Sequence, residues 1–200
     1  MELVRGIVHD YIVLFGMVNA VGNLPVFATY IGSLERPEVH RTIRTAVSVA
    51  CGIVVAFALF GDAMLTYLFE IDTASFKIAG GIVVFAVAAR GVLGGAHYSL
   101  TADPAPDPSV FPLGFPFLAG PGTIVTSILL LQSSGSLATV VATLLVYATV
   151  IPVLYLAPLV ERTVGRISVL VVARILYIFI CAKAVAFILD GVRTLLPGLA

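Results

Sequence analysis

The chain has 200 residues, of which 60% are hydrophobic and only 11% charged, and its mean hydropathy is +1.12. A water-soluble domain does not carry that much apolar surface, so the composition points to a protein that folds in lipid. Lysine plus arginine and aspartate plus glutamate number 11 each, which leaves no basic patch for nucleic acid and no acidic tail for a cationic partner.

Apolar runs near the ~20 residues that a helix needs to cross a bilayer core recur along the chain, and they predict six spans. In order these are Ile7 to Ile31, Ala46 to Phe69, Ala74 to Leu93, Val110 to Leu131, Leu137 to Val160 and Ile167 to Leu189. The first begins close to Met1, holds polar residues at its centre and lacks a small-residue cleavage site, so it reads as a retained span. Its centre carries NAVGNLP, Asn19 to Pro25, which places two amides, a glycine and a helix breaker in the middle of an apolar run. Asn favours the N-cap and Pro the first turn of a helix, so a second half-helix is expected to start at Asn23 or Leu24.

The second span holds Cys51 and Asp62, and the third holds Lys77 and the pair Gly80 and Gly81, which serve either close helix packing or the lining of a site. A polar, proline-rich stretch, AHYSLTADPAPDPS, then divides the chain near its midpoint. The fourth span repeats the device of the first: AGPGT, Ala119 to Thr123, breaks it near its centre, with Pro121 expected to open a new half-helix. The sixth span holds Cys181 and Lys183. Neither cysteine has a pairing or metal-ligand companion, so both are packing residues and no metal or cofactor is expected.

The organisation that follows is residues 1–95 as one three-helix half, 96–109 as a linker and 110–200 as the second half, within one transmembrane domain. An odd number of crossings per half forces two related halves to run in opposite senses, the inverted-repeat plan of many secondary transporters. The expected fold is thus an all-α polytopic membrane protein of six helices in two inverted repeats, with helices 1 and 4 discontinuous. Arg36, Arg41, Arg44, Arg90, Arg162, Arg166 and Arg174 share one side, against Arg5, Lys77 and Arg193 on the other. The positive-inside tendency puts both termini outside the cytoplasm of a plasma-membrane protein.

Among the charges within spans, Asp10 and Lys77 lie near the outer ends and are expected to snorkel to the interface. Asp62 and Lys183 are deeper and at similar depth, so they could pair structurally, gate the outer side or take part in coupling to a proton or sodium ion. His9, His40 and His97 lie at span ends or in loops, and no catalytic or metal-binding group forms at one depth, so no enzyme is expected.

Three segments, NAVGNLPVF, FKIAGGIVVF and PLGFPFLAGPGTIVT, in this order and spacing, resemble the signature segments of the MarC/SnatA family of small six-span membrane proteins. One departure is visible: the family commonly has an acidic or amide residue followed directly by Pro before the Gly-Asn pair, whereas Asn19 is followed by Ala20. The resemblance implies two inverted three-helix repeats with discontinuous first and fourth helices, and transport of small neutral amino acids.

Taken together, these features predict a secondary transporter of small neutral amino acids of the glycine and alanine class, working by alternating access. A passive channel or a structural membrane module is the alternative. The substrate is expected at the two breaks, on Asn19, Gly22, Asn23, Leu24, Ala119, Gly120, Pro121, Gly122 and Thr123. Free N–H groups there suit its carboxylate and helix-end carbonyls its ammonium.

Overall fold

The computed structural model describes residues 2–31, 34–94, 107 and 109–196, all of them helices and short connections among the described residues. Helix α1 spans Glu2–Val18 and α2 Leu24–Ile31, and between them the chain turns over 19–23. Helix α3 spans Arg36–Ala63 and runs on through a wider π-type turn, Met64–Leu68. Helix α4 is Thr73–Gly94. After the irregular segment Ser109–Leu118 come α5, Pro121–Ser134, and α6, Ser136–Tyr155. The short α7, Ala157–Val164, and the long α8, Arg166–Leu195, complete the chain.

Among the described residues four helices are long and apolar enough to cross a bilayer, over Arg36–Gly61, Thr73–Leu93, Ser136–Tyr155 and Ile167–Leu195. The bent pair Ser109–Leu118 and Pro121–Ser134, angled by 56°, makes a fifth if it is one span. The expected third and sixth spans thus correspond to α4 and α8. The expected second span begins ten residues too late, because α3 extends through the charged run from Arg36 to Arg44. Its start is fixed by local chemistry: Glu35 and Glu38 form a reciprocal capping box, and Pro37 fills the first turn. The expected fifth span ends early at Tyr155, three residues after Pro152, and α7 continues as a separate helix. The expected linker 96–109 lies outside the described residues except for Asp107 and Ser109.

Helix faces sort by size rather than by polarity. On α3 the buried stripe is Ile43, Ala46, Ala50, Val54 and Ala58; on α6 it is Thr139, Ala142, Thr143, Val146, Val150 and Leu154. The opposite faces expose large apolar side chains, Leu59 and Phe60 on α3 and Leu144 and Leu145 on α6, the arrangement expected where the surroundings are lipid tails. The most extensive helix contact is between α4 and α8. It depends on small residues, since a Cβ at Gly81 would lie 2.8 Å from the Ala184 carbonyl and one at Gly191 2.7 Å from the Ala74 carbonyl. Gly80 faces Val125 of α5 in the same way, so close packing accounts for both glycines of the GG pair. The turns into α6 and α8 are a single residue each, Gly135 at φ 84° and Gly165 at φ 88°, where a side chain would be strained.

One membrane charge departs from the expectation of snorkelling. Asp10 is fully buried, with 0% of its surface exposed. The Ser134 hydroxyl donates to its Oδ1 at 2.8 Å, the Thr139 hydroxyl to its Oδ2 at 3.0 Å, and His9 Nδ1 lies 3.1 Å from Oδ1. A carboxylate supplied with one hydroxyl donor from the end of α5 and another near the start of α6, where the helix dipole is positive, has no need to reach the interface. It ties α1 of the first half to the α5–α6 turn of the second. Lys77, 22% exposed, reaches the exposed Asp190 near the end of α8 and pairs with it at 2.6 Å, which is compatible with the expected reach to the interface.

Candidate functional site

The two breaks are built differently. In the first, Asn19 adopts a left-handed conformation, φ 50°, that Asn tolerates better than most residues. Its Oδ1 accepts the Gly22 N–H at 3.2 Å, and its carbonyl accepts the Asn23 N–H at 3.0 Å. The Leu24 N–H goes to the Val21 carbonyl at 3.2 Å, and those of Val26 and Phe27 go to the Asn23 carbonyl. The turn therefore takes up the N–H groups of Gly22, Asn23 and Leu24 itself, and α2 starts with Pro25 in its first turn as its sequence requires.

In the second break, FPLGFP places Phe111 and Phe115 directly before prolines, and both are extended, at φ −132° and −130°. A following proline excludes the α region for the residue before it, so the chain cannot run on as regular helix until Pro121 restarts it. Gly120 is the N-cap and has no side chain to cap with, and the first helical N–H with a partner is that of Ile124, to the Gly120 carbonyl at 3.1 Å. The N–H groups of Gly122 and Thr123 lie in the first turn and have no intrahelical acceptor.

The breaks meet. Asn23 Nδ2 donates to the Phe117 carbonyl at 2.9 Å, across 94 positions of sequence, and to the Val18 carbonyl at 3.3 Å. The Tyr147 hydroxyl of α6 donates to the Leu118 carbonyl at 3.0 Å, and the Tyr177 hydroxyl of α8 to Asn23 Oδ1 at 3.4 Å. These contacts satisfy carbonyls that each broken helix leaves open, a necessity where an unpaired backbone group costs several kcal/mol. Around them Asn19, Gly22, Asn23, Leu24, Ala119, Gly122 and Thr123 are buried, while Gly120 and Pro121 are partly exposed. One donor remains open: Asn19 Nδ2 is buried with no hydrogen-bond partner among the described residues. Its orientation is set by the bond that its Oδ1 accepts from Gly22.

Tyr147 and Tyr177 were not singled out by sequence reasoning. A tyrosine within an apolar span is a signal only once its depth and rotation are known. Asp10 and Asp190, near span ends, were missed as buried or paired groups for the same reason. Asp62 and Lys183 are carried by helices that share no extended face, since α3 packs on α5, α6 and the 109–118 segment, and α8 on α4. The Asp62 side chain lies outside the described residues, and the Lys183 ammonium stands 5.2 Å above the Phe187 ring. His40 packs edge-on against Tyr155, and His97 lies outside the described residues.

The model of the MarC family of integral membrane proteins matches residues 4–196. A UPF0056 membrane protein of Archaeoglobus fulgidus is 33% identical over 193 residues, covering 91% of this chain and 90% of the relative. YvbG of Bacillus subtilis, a UPF0056 membrane protein, is 28% identical over 96% of this chain and 97% of its own. The UPF0056 inner membrane protein YhgN of Escherichia coli is 27% identical over 96% and 98%. No solved structure matches. With a family match over nearly its whole length and full-length relatives in bacteria and archaea, the chain belongs to the MarC family of integral membrane proteins.

Proposed function

We propose that the protein is a secondary transporter of small neutral amino acids, with the substrate held where the two breaks meet. The observation that carries this reading is the Asn23 bridge to Phe117, which brings a buried unpartnered amide, Asn19 Nδ2, into the same junction as an uncapped helix start at Gly122 and Thr123. The open groups named here are hydrogen-bond donors, and donors at a helix N-terminus suit a carboxylate. Because the first break uses its own N–H groups, Gly122 and Thr123 are the better carboxylate cradle. The Asn23 side chain acts by joining the breaks rather than by holding substrate.

In this reading the six crossings form two inverted three-helix halves, and the halves rock against each other around the junction, with a proton or sodium ion as the coupling ion. The chain lies in the plasma membrane with both termini outside, in keeping with the inner-membrane designation of the Escherichia coli relative. The absence of bulky side chains at Gly120 and Gly122 favours glycine and alanine over leucine and phenylalanine. The test is uptake of labelled alanine in proteoliposomes, with competition by a size series. Saturation and counterflow are expected, with glycine competing and leucine not. Linear, non-saturating flux without counterflow would mean a pore and would end the transporter reading.

A further inference from the structure

A cavity of about 340 Å³ opens between α1, α4, α5 and α8, toward the start of α1 and the end of α8. Its polar lining is His9, Lys77, Thr126, Ser133, Lys183 and Asp190. Such a concentration of ionisable groups along membrane helices is costly and calls for a use. Lys77 pairs with Asp190, the one carboxylate among the residues that line the cavity, so the lining carries two ammonium groups, Lys77 and Lys183, against a single carboxylate. Thr126 is 2% exposed, and its hydroxyl has no hydrogen-bond partner among the described residues, although threonines in helices commonly bond the carbonyl one turn back.

The cavity also points to the breaks. Thr126 lies four residues, about 6 Å along the helix, beyond Gly122. Val13, which lines the same cavity, lies four residues before Met17 on α1. The tip of Met17 is 2.7 Å from where a Cβ on Gly122 would stand. Val84 of α4 also stands against that position, at 3.2 Å, so of the two side chains packed on Gly122 the flexible, unbranched Met17 is the one on the cavity's own helix that can move aside.

We propose that this cavity is an entrance subsite for a small zwitterion. The carboxylate of the incoming amino acid lies on Lys183 and the Thr126 hydroxyl, its ammonium faces Asp190, and displacement of Met17 admits it to the break. The charge pattern selects the ligand class: a surplus cation beside an ion pair attracts one carboxylate, while Asp190 repels a polyanion and offers an ammonium a partner. This rests on the transport reading, and it adds a second, sided site to it.

The experiment uses the full chain in vesicles of defined orientation and, in parallel, purified protein binding labelled alanine. Lys183→Gln is expected to raise the half-saturating alanine concentration about tenfold for uptake from the side of the termini, with the maximal rate kept. From the opposite side it should leave the value unchanged, and Lys183→Arg should restore it. Thr126→Val, nearly isosteric, should raise the same value about threefold, the worth of one neutral hydrogen bond. Equal half-saturation for wild type and Lys183→Gln, or an equal rise from both sides, would overturn the proposal while leaving the transporter intact. If wild type binds alanine but transports none, the transport reading falls, and the subsite then stands or falls on whether Lys183→Gln weakens that binding. No binding by wild type would overturn both.

Discussion

The two breaks answer one problem in two ways. Both stop a helix within the apolar part of the chain, and both leave backbone groups that lipid cannot satisfy. The first solves this locally: Asn19 turns left-handed, and its carbonyl and side chain take up the N–H groups of the turn. The second solves only half of it. Its carbonyls are satisfied from a distance by Asn23 and Tyr147, while the N–H groups at the start of α5 stay open. A turn that takes up most of its own backbone donors is a scaffold with one side-chain donor to spare, Asn19 Nδ2, and a turn that leaves backbone donors open has more to offer a ligand.

The contrast can be broken most strongly at Asn23, the residue that both breaks share. Asn23→Ala removes a donor from two buried carbonyls, Val18 and Phe117, at a cost of about 1–3 kcal/mol for each buried bond left unmade. Thermal unfolding in detergent should show the largest loss of any single change at the junction. An unchanged midpoint would mean that the breaks are not held together by this bridge.

Tyr147→Phe should come next. It keeps the ring in the core and leaves only the Leu118 carbonyl unpaired, for a loss of roughly 1–3 kcal/mol in the same assay. The change touches the second break alone, so alanine affinity should fall with it if that break is the cradle. Intact affinity with lowered stability would shift the site toward the first break.

The glycines separate the two breaks by sterics. A Cβ at Gly22 would overlap the Asn19 amide, whereas one at Gly120 meets only the Pro116 carbonyl, at 3.0 Å. Gly22→Ala is therefore expected to destabilise by about 1–3 kcal/mol, as overpacking of a tight site does. Gly120→Ala should cost less than Gly22→Ala, since only the Pro116 carbonyl has to give way, and should also be felt in substrate size selection. Equal stability losses would show the two turns to be equally tight.

The smallest effect sharpens the contrast between a capped and an uncapped helix start. Unlike Gly120, Asp72 caps its helix: its Oδ1 accepts the Ser75 N–H and its Oδ2 the Ser75 hydroxyl, both at 2.8 Å. The backbone bond first, and then the hydroxyl, hold this carboxyl below the usual aspartate range. A depressed native value stabilises fully above the ordinary aspartate pKa and is lost as pH falls through the lowered one. Hydrogen exchange in the first turn of α4 should accelerate on acidification over that window and lose its pH dependence in Asp72→Asn. Amides at the start of α5 should show no such step.

The solvent, most of the spans and both breaks were legible in the residues, because each rests on chemistry within a few positions. A long apolar run implies lipid whatever it packs against, proline forces the residue before it to be extended, and Asn-Leu-Pro or Gly-Pro starts a helix wherever it stands. What the tertiary structure alone decided is which groups face inward. In a soluble helix the apolar stripe marks the core, but here both faces of α6 and α8 are apolar, and the sequence period carries little information about rotation. That is why Asp10, near a span end and expected to reach the interface, instead lies buried under Ser134 and Thr139. It is also why the joining of Asn23 to Phe117, the capping of Leu118 by Tyr147 and the pairing of Lys77 with Asp190 could not be read along the chain. Each depends on the angle at which one helix presents a polar atom to another far away in sequence, and only packing sets that angle.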